Sequence, residues 1–483
     1  MFKRILAALL ASLTLFSAVA CAKSDEGADT TPDNNSTGTS AETRDELFPN
    51  IEKQDYQGET FQMIGWTEAG DWYFAEEYSN SEKGSNTILN NTIYEMNTLV
   101  EEHLNVQLAY QTVKVTDGHD IYNTVSPTIM AGDDTYQLCT LHAFYDYINF
   151  ITSNSALDFN ELDAIDMDKP YWNRDVMDML SINDKMYIGL GDICQYGFYM
   201  IYCNKDMLKD IGTKVPYDQV RNGEWTLDLF TSMTTGMYAD NGDGERNDKD
   251  IYGFAGCWDG EGNAFLQASD IYVAQKNADG VFELTLYGER LIDMYDKLYA
   301  WSKDEGVLPW NFHSPAFTVP FKNNQSYFTC SSLGTQYLDA EFEVGILPLP
   351  KYDVAQDDYK HVNWGQNLIV PNTVRNKEMV GQVTELMSYY SSTMVLEKYY
   401  DEVLQLRVSE APDDRDMVEL IYNTVVYDPG IAFCDGNSQL FNLVYITCFG
   451  IREDNPNIAS YYQKNSKVAA KFLKNLLREK PGR

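Results

Sequence analysis

The feature that most constrains this chain is a repeated change of hydrophobic period along its first third. Phe61-Gln62-Met63-Ile64 reads as a short strand that Gly65-Trp66 ends. Leu89, Ile93, Met96, Val100 and Leu104 then recur at helical spacing, and Val106, Leu108 and Tyr110 alternate as in a strand. Ile121, Val125, Ile129 and Met130 form a second helical face, followed by a strand over 136–141. Strands alternating with helices of this length predict a mainly parallel sheet covered by helices, an α/β architecture. Further strands are expected at 186–190, 197–203, 252–255, 327–330, 343–347 and 367–370, and helices at 377–390, 414–423 and 466–479. With 483 residues, two or three domains, or two lobes of one large fold, are expected.

The first twenty residues stand outside this pattern. Lys3 and Arg4 precede an uncharged, mostly apolar run from Ile5 to Ala20, which reads as a signal peptide. Ala18-Val19-Ala20-Cys21 resembles a bacterial lipobox, with Ala18 where Leu is commonest. Cys21 is the expected lipidation site. Residues 22–46 have no apolar side chain larger than Ala apart from Pro32, so they cannot bury enough surface to fold. They read as a tether spanning about 25–30 Å, with the lipidated Cys and tether together covering 21–54.

Charge narrows the partners. The sequence holds 73 Asp+Glu against 36 Lys+Arg, a net charge of −37. Such a surface repels nucleic acid and an anionic bilayer. Hydrophobic residues make up 44% of the chain, enough for a real core, so the acidity belongs to a folded body. After Cys21, seven cysteines remain without a CxxC pair, which fits neither a disulfide framework nor a zinc site.

The sequence lacks GxSxG, HExxH, P-loop and GxGxxG patterns, so no catalytic residue is assigned and no cofactor is expected. Carboxylate pairs for glycoside hydrolysis carry no information among so many acids. The stretch Asp240-Asn241-Gly242-Asp243-Gly244, leading to Asp250, can be aligned to a calcium loop with Asn241, Asp243 and Asp250 as ligands. Its first ligand position would be Ala239, which cannot ligate, and a plain surface turn competes with it.

Three sets of segments carry a family resemblance. Ala131-Gly132-Asp133-Asp134-Thr135-Tyr136, Pro170-Tyr171-Trp172-Asn173 and Asn183-Asp184-Lys185-Met186-Tyr187 form one. Asn204-Lys205-Asp206 with Gly223-Glu224-Trp225-Thr226 forms another. The third is Gly345-Ile346-Leu347-Pro348-Leu349-Pro350-Lys351-Tyr352 with Val370-Pro371. In this order the chain resembles the extracellular solute-binding lipoproteins of ABC transporters, in the sugar-binding family related to maltose-binding protein (Firmicutes type). The resemblance implies a two-lobed periplasmic-binding-protein-like fold, each lobe a mainly parallel sheet flanked by helices, with a central cleft and hinge. Crossings are implied near Gly191–Gln195, between Lys351 and His361, and around Ser392–Tyr400. Lobe 1 would comprise 55–192 and 361–395, and lobe 2 193–360 and 396–483. The implied role is capture of a sugar outside the cell and its delivery to a permease. A lipid anchor would hold a monomer on the outer face of the cytoplasmic membrane.

The aromatic content gives an independent reason to expect sugar. Trp and Tyr offer flat apolar area to pyranose C–H faces, while Asp, Glu, Asn and His bond hydroxyls. In open α/β lobes, ligands meet the loops after strand C-termini. That rule selects Trp66, Glu68, Trp72, His142, Asp192, Trp258, Ser331 and Trp364 as substrate-binding candidates, with Tyr145 beside His142. Trp172 and Trp225 fall in segments that read as structural, and Trp301 falls on a helical core stripe. A peptide-binding protein, a surface carbohydrate hydrolase and a sensor or adhesion module remain as alternatives.

Overall fold

In the computed structural model, the described residues are 46–67, 88–114, 116, 118–142, 145–194, 197–256, 260–308, 319–332, 340–363, 365–396, 398, 412–436 and 438–476. The periodic segments become β1 (Glu59–Thr67), α1 (Ile88–Leu104), β2 (Val106–Lys114), α2 (Asp120–Ala131) and β3 (Leu138–His142). Ile93, Met96, Val100 and Leu104 of α1 are fully buried, which is what their spacing requires. β1 is longer than expected: it continues through Gly65 and Trp66 because each residue to Thr67 pairs with β2.

α3 (Tyr147–Thr152) and α4 (Arg174–Leu180) follow. Next come β4 (Tyr199–Asn204), β5 (Tyr238–Ala239), β6 (Ile251–Ala255) and α5 (Gly260–Ala268). A small hairpin of β7 (Ala274–Lys276) and β8 (Phe282–Leu284) precedes α6 (Glu289–Trp301). β9 (Ser326–Ser332), β10 (Val344–Leu347), β11 (His361–Val362) and β12 (Gln366–Ile369) complete the main strands. The C-terminal part holds α7 (Lys377–Tyr390), α8 (Pro412–Asn423), β13 (Val425–Val426), α9 (Pro429–Ala432), α10 (Gln439–Val444), α11 (Ile446–Arg452) and α12 (Ile458–Leu476).

Two sheets organise the chain. The first has order β12-β3-β1-β2, with β1 parallel to β2 and β3, and β12 antiparallel to β3. The second has order β10-β4-β9-β6-β5. Here the mainly parallel expectation is corrected: only β6–β9 is parallel among the described ladders, and β10–β4, β4–β9 and β5–β6 are antiparallel. Its neighbours come from distant parts of the chain, so pairing direction follows from packing rather than from short βαβ crossovers. Residues 186–190 form no strand; isolated bridges such as Gly189 with Leu368 replace it.

The tryptophans read as structural are core residues with satisfied indole N–H groups. Trp172 Nε1 donates to Glu385 Oε2 at 2.7 Å, Trp225 Nε1 to the Pro348 carbonyl at 2.8 Å, and Trp301 Nε1 to Thr234 Oγ1 at 2.9 Å. Trp301 sits among Phe230, Phe254 and Phe265. Six cysteines, at 139, 194, 203, 330, 434 and 448, are buried and pack as small hydrophobes. No helix among the described residues is long and apolar enough to cross a membrane.

Candidate functional site

The parallel strands of the first sheet end together, and aromatic rings gather at that edge. Trp66 near the end of β1 and His142 at the end of β3 stack, with centroids 5.8 Å apart and planes 15° apart. Tyr145 lies 5.6 Å from the Trp66 ring and 5.8 Å from His142. A turn brings it back: Tyr145 N donates to the His142 carbonyl at 3.2 Å. Gly118 makes room for the ring. A Cβ at Gly118 would stand 2.5 Å from Tyr145, and the backbone there has φ +85°, so glycine is required twice over. Burial pushes His142 down to about 3, so it is neutral and presents a flat heteroaromatic face.

A second cluster marks where the chain leaves the first sheet. Trp172 bridges Gly191, Asp192 N donates to the Tyr171 carbonyl, and Asn173 N donates to the Leu190 carbonyl. Glu385 of α7 fixes this crossing from behind, accepting from Tyr171 Oη at 2.6 Å and from Trp172 Nε1. Where the chain continues, Phe198 bridges Asn363, whose Oδ1 accepts from Gly197 N and Gly365 N and whose Nδ2 donates to Tyr427 Oη at 3.1 Å. One asparagine therefore ties the outgoing strand, the returning strand and the C-terminal part together. His361 is fully buried beside it. Its Nε2 accepts from Leu349 N and its Nδ1 faces Thr424 Oγ1.

The C-terminal part closes over the aromatic edge. His119, just before α2, has Nδ1 3.2 Å from Asp146 Oδ1 and Nε2 3.5 Å from Asp435 Oδ1. A Cβ at Gly436 would stand 3.5 Å from Tyr145. On another side, Lys276 of β7 donates to the carbonyls of Asp178 and Ser181 and to Ser181 Oγ, at the end of α4.

Four of the eight expected binding residues are described. Trp66 is 2% exposed, so a ligand reaches its ring only where His142 and Tyr145 give way. His142 and Asp192 are half-buried. Ser331 lies inside β9, buried and paired with Met200, rather than in a loop beyond the strand. Trp66, His142 and Asp192 belong to strand ends and crossings of the first sheet, while Ser331 belongs to the second. Glu68, Trp72, Trp258 and Trp364 lie outside the described residues. Sequence reasoning missed His119, Asp146, Asn363 and Asp435. The only local signal was Gly118 and Gly436 beside two of them.

The 240–250 loop differs in detail from its alignment. Carboxylate oxygens of Asp240, Asp243 and Asp250 lie within 4.8 Å of one another. Asn241 Oδ1 instead accepts from Asp243 N. Asp250 accepts from Asn241 N, Asn247 N and Tyr238 Oη, and Asp240 from Gly242 N and Gly244 N. The oxygens suit a hard cation, yet the loop's own N–H groups already use much of their capacity.

No family model matches the chain, and no curated protein sequence matches it. Solved structures do. An ABC substrate-binding protein from Listeria monocytogenes, in complex with cycloalternan, aligns with TM-score 0.58 and 13% identity over 86% of this chain and 99% of that one. The maltose-binding periplasmic protein of the same organism, in complex with maltose, gives 0.56 and 12% over 87% and 99%. The GacH receptor of Streptomyces glaucescens, solved unliganded and with acarbose, gives 0.55 and 15% over 88% and 100%. At these identities the likeness establishes the fold: the chain has the two-lobed α/β fold of ABC solute-binding proteins.

Proposed function

We propose that this protein captures a sugar or oligosaccharide between its lobes and delivers it to the permease of an ABC importer. The observation that carries this is the Trp66–His142–Tyr145 cluster. It lies at the C-terminal edge of the parallel strands, where such lobes bind ligands, and it faces Asp435 and Gly436 of the C-terminal part. Flat rings beside carboxylates and amides match the alternating C–H faces and hydroxyl rims of a pyranose. The neighbours' cycloalternan, maltose and acarbose support the same class of ligand. Lobe 1 is assigned to 55–192 and 361–395, and lobe 2 to 193–360 and 396–483. The membership of β1–β3 and β12 in one sheet, and of β4–β6, β9 and β10 in the other, supports this division. Cys21 carries a lipid and the residues after it tether the body outside the cell; the tether ends earlier than the expected residue 54, because Phe48 packs edge-on against Tyr389 and Tyr390 and Ile51 is buried in the core. Binding and lobe closure are one event, and the ligand is handed on unchanged.

A thermal-shift screen against mono- and oligosaccharides, with peptides in parallel, tests this reading. A sugar at about 100 times its Kd adds about 2.7 kcal/mol of stability. Shifts by peptides alone would overturn the sugar assignment, and release of reducing ends would overturn the non-catalytic one.

A further inference from the structure

We infer that α12 is a membrane-docking face: its outward row of lysines seats the protein on the anionic phospholipid headgroups of a bilayer. This goes beyond solute capture and does not depend on which solute binds. Residues 455–478 hold four Lys, one Arg and no Asp or Glu, in a chain where acids outnumber bases 73 to 36. Lys464, Lys467, Lys471 and Lys474 stand at i, i+3, i+7 and i+10. That places them within about an 80° arc of the helix and along about 15 Å of its length. All four are exposed.

The opposite side of the helix is pinned, which fixes the direction of the row. Ile458, Asn465, Ala469 and Leu473 are buried, and the helix packs on β8, α10 and α11. Asn465 Oδ1 accepts from Asn442 Nδ2 of α10 at 3.1 Å. Tyr462 stacks on Tyr287 with centroids 4.6 Å apart. These neighbours all belong to the part assigned to lobe 2.

The fold itself makes little use of the row. Lys297, Lys303, Lys360 and Lys377 each hold a carboxylate. Among the described residues, no carboxylate oxygen lies within 4.0 Å of any of the four α12 ammonium groups. The helix dipole favours a cation in the last turn, which accounts for Lys474 alone. Lys464 with Lys467, Lys467 with Lys471 and Lys471 with Lys474 are like-charge neighbours that weaken a helix.

The chemistry of the row selects a lipid surface over an acidic protein. Lysine is a hydrated point charge on a flexible stem, and protein interfaces are depleted in it. The exposed large hydrophobe on this helix is Val468, so the row lacks the aromatic or Arg anchor of a protein hot spot. Each lysine beside anionic headgroups raises affinity about five-fold. The net charge of −37 is a sum over the whole molecule, whereas a bilayer meets the field within a Debye length, about 8 Å at 0.15 M salt. The expected tether allows the approach: fully extended, the 25 residues from Ala22 to Glu46 span about 80 Å. Docking through α12 holds lobe 2 and leaves lobe 1 free to move.

Flotation with vesicles of phosphatidylcholine alone, and with about 30% phosphatidylglycerol, in about 0.1 M NaCl tests this. The protein used is the unlipidated chain from Ala22 onward, which keeps all the described residues. It should float with the anionic vesicles and not with the neutral ones, and about 0.5 M NaCl should release it. K464Q/K467Q/K471Q/K474Q should melt like the wild type and lose at least about a hundred-fold in affinity. K53Q/K114Q/K169Q/K185Q removes the same number of charges from lobe 1 and should bind within about two-fold of the wild type. Failure to float with anionic vesicles, which is what an acidic protein partner would give, would overturn the docking face. So would equal flotation with neutral vesicles, binding retained in the α12 variant, or binding lost in the lobe 1 variant. No solute is present, so none of these outcomes bears on the sugar assignment.

Discussion

Glu385 concentrates the residue-scale argument. It is fully buried and accepts from both Tyr171 and Trp172, yet burial raises its carboxyl to about 7. A folded-state value above the ordinary one means its stabilising contribution is complete below the usual carboxylate range. That contribution is lost as pH rises through about 7. E385Q mimics the neutral acid, so its stability should be nearly flat in this window while the wild type weakens. Urea melts at pH 5 and pH 8 should show the wild-type minus variant difference moving against the wild type by about 2 kcal/mol at pH 8. A difference that does not change, or moves the other way, would mean the carboxylate stays ionised throughout. Trp172 and Trp225 were legible as structural from their setting in the sequence. The residues that join distant segments, His119, Asp146, Asn363 and Asp435, were not. One Asp among 73 acids, or one scattered His, carries no signal until the fold sets it opposite a partner.

Elements were legible where one face is buried and periodic. α1, β2 and α7 match their sequence patterns closely, because each buries a stripe of fixed spacing. Strand direction in the second sheet was not legible, since β4, β9 and β10 meet across long intervening segments. Ser331 was misplaced for the same reason: β9 continues to Ser332 because β4 pairs with it. The crossing at Gly191 depends on packing that only the structure displays. A Cβ there would lie 2.8 Å from Trp172 Cε3 and 2.9 Å from the Tyr171 carbonyl. G191A should cost about 2 kcal/mol, the usual penalty for overpacking a filled site, read as a lower urea midpoint at unchanged m-value. An m-value that falls instead would mean the lobes have begun to unfold separately.

At the scale of the whole molecule, the net charge of −37 acts as diffuse self-repulsion across a surface with few cations. The ion pairs that exist, such as Arg221 with Asp413 and Asp416 or Lys303 with Asp454, are largely exposed and contribute little each. Screening should therefore stabilise the protein. Raising NaCl from about 0.02 M to about 0.5 M should raise Tm by about 2–5 °C, and a fall would show that the exposed pairs outweigh the repulsion. The chain's interleaving also has a temporal consequence. Ile369 of β12 pairs with Cys139 of β3, more than 200 residues apart, so the first sheet is unfinished until three quarters of the chain is available. Closing so long a loop is slow. β1, β2 and β3 can pair early, so it is the outer edge of β3 that stays open to a wrong partner until β12 arrives to cover it.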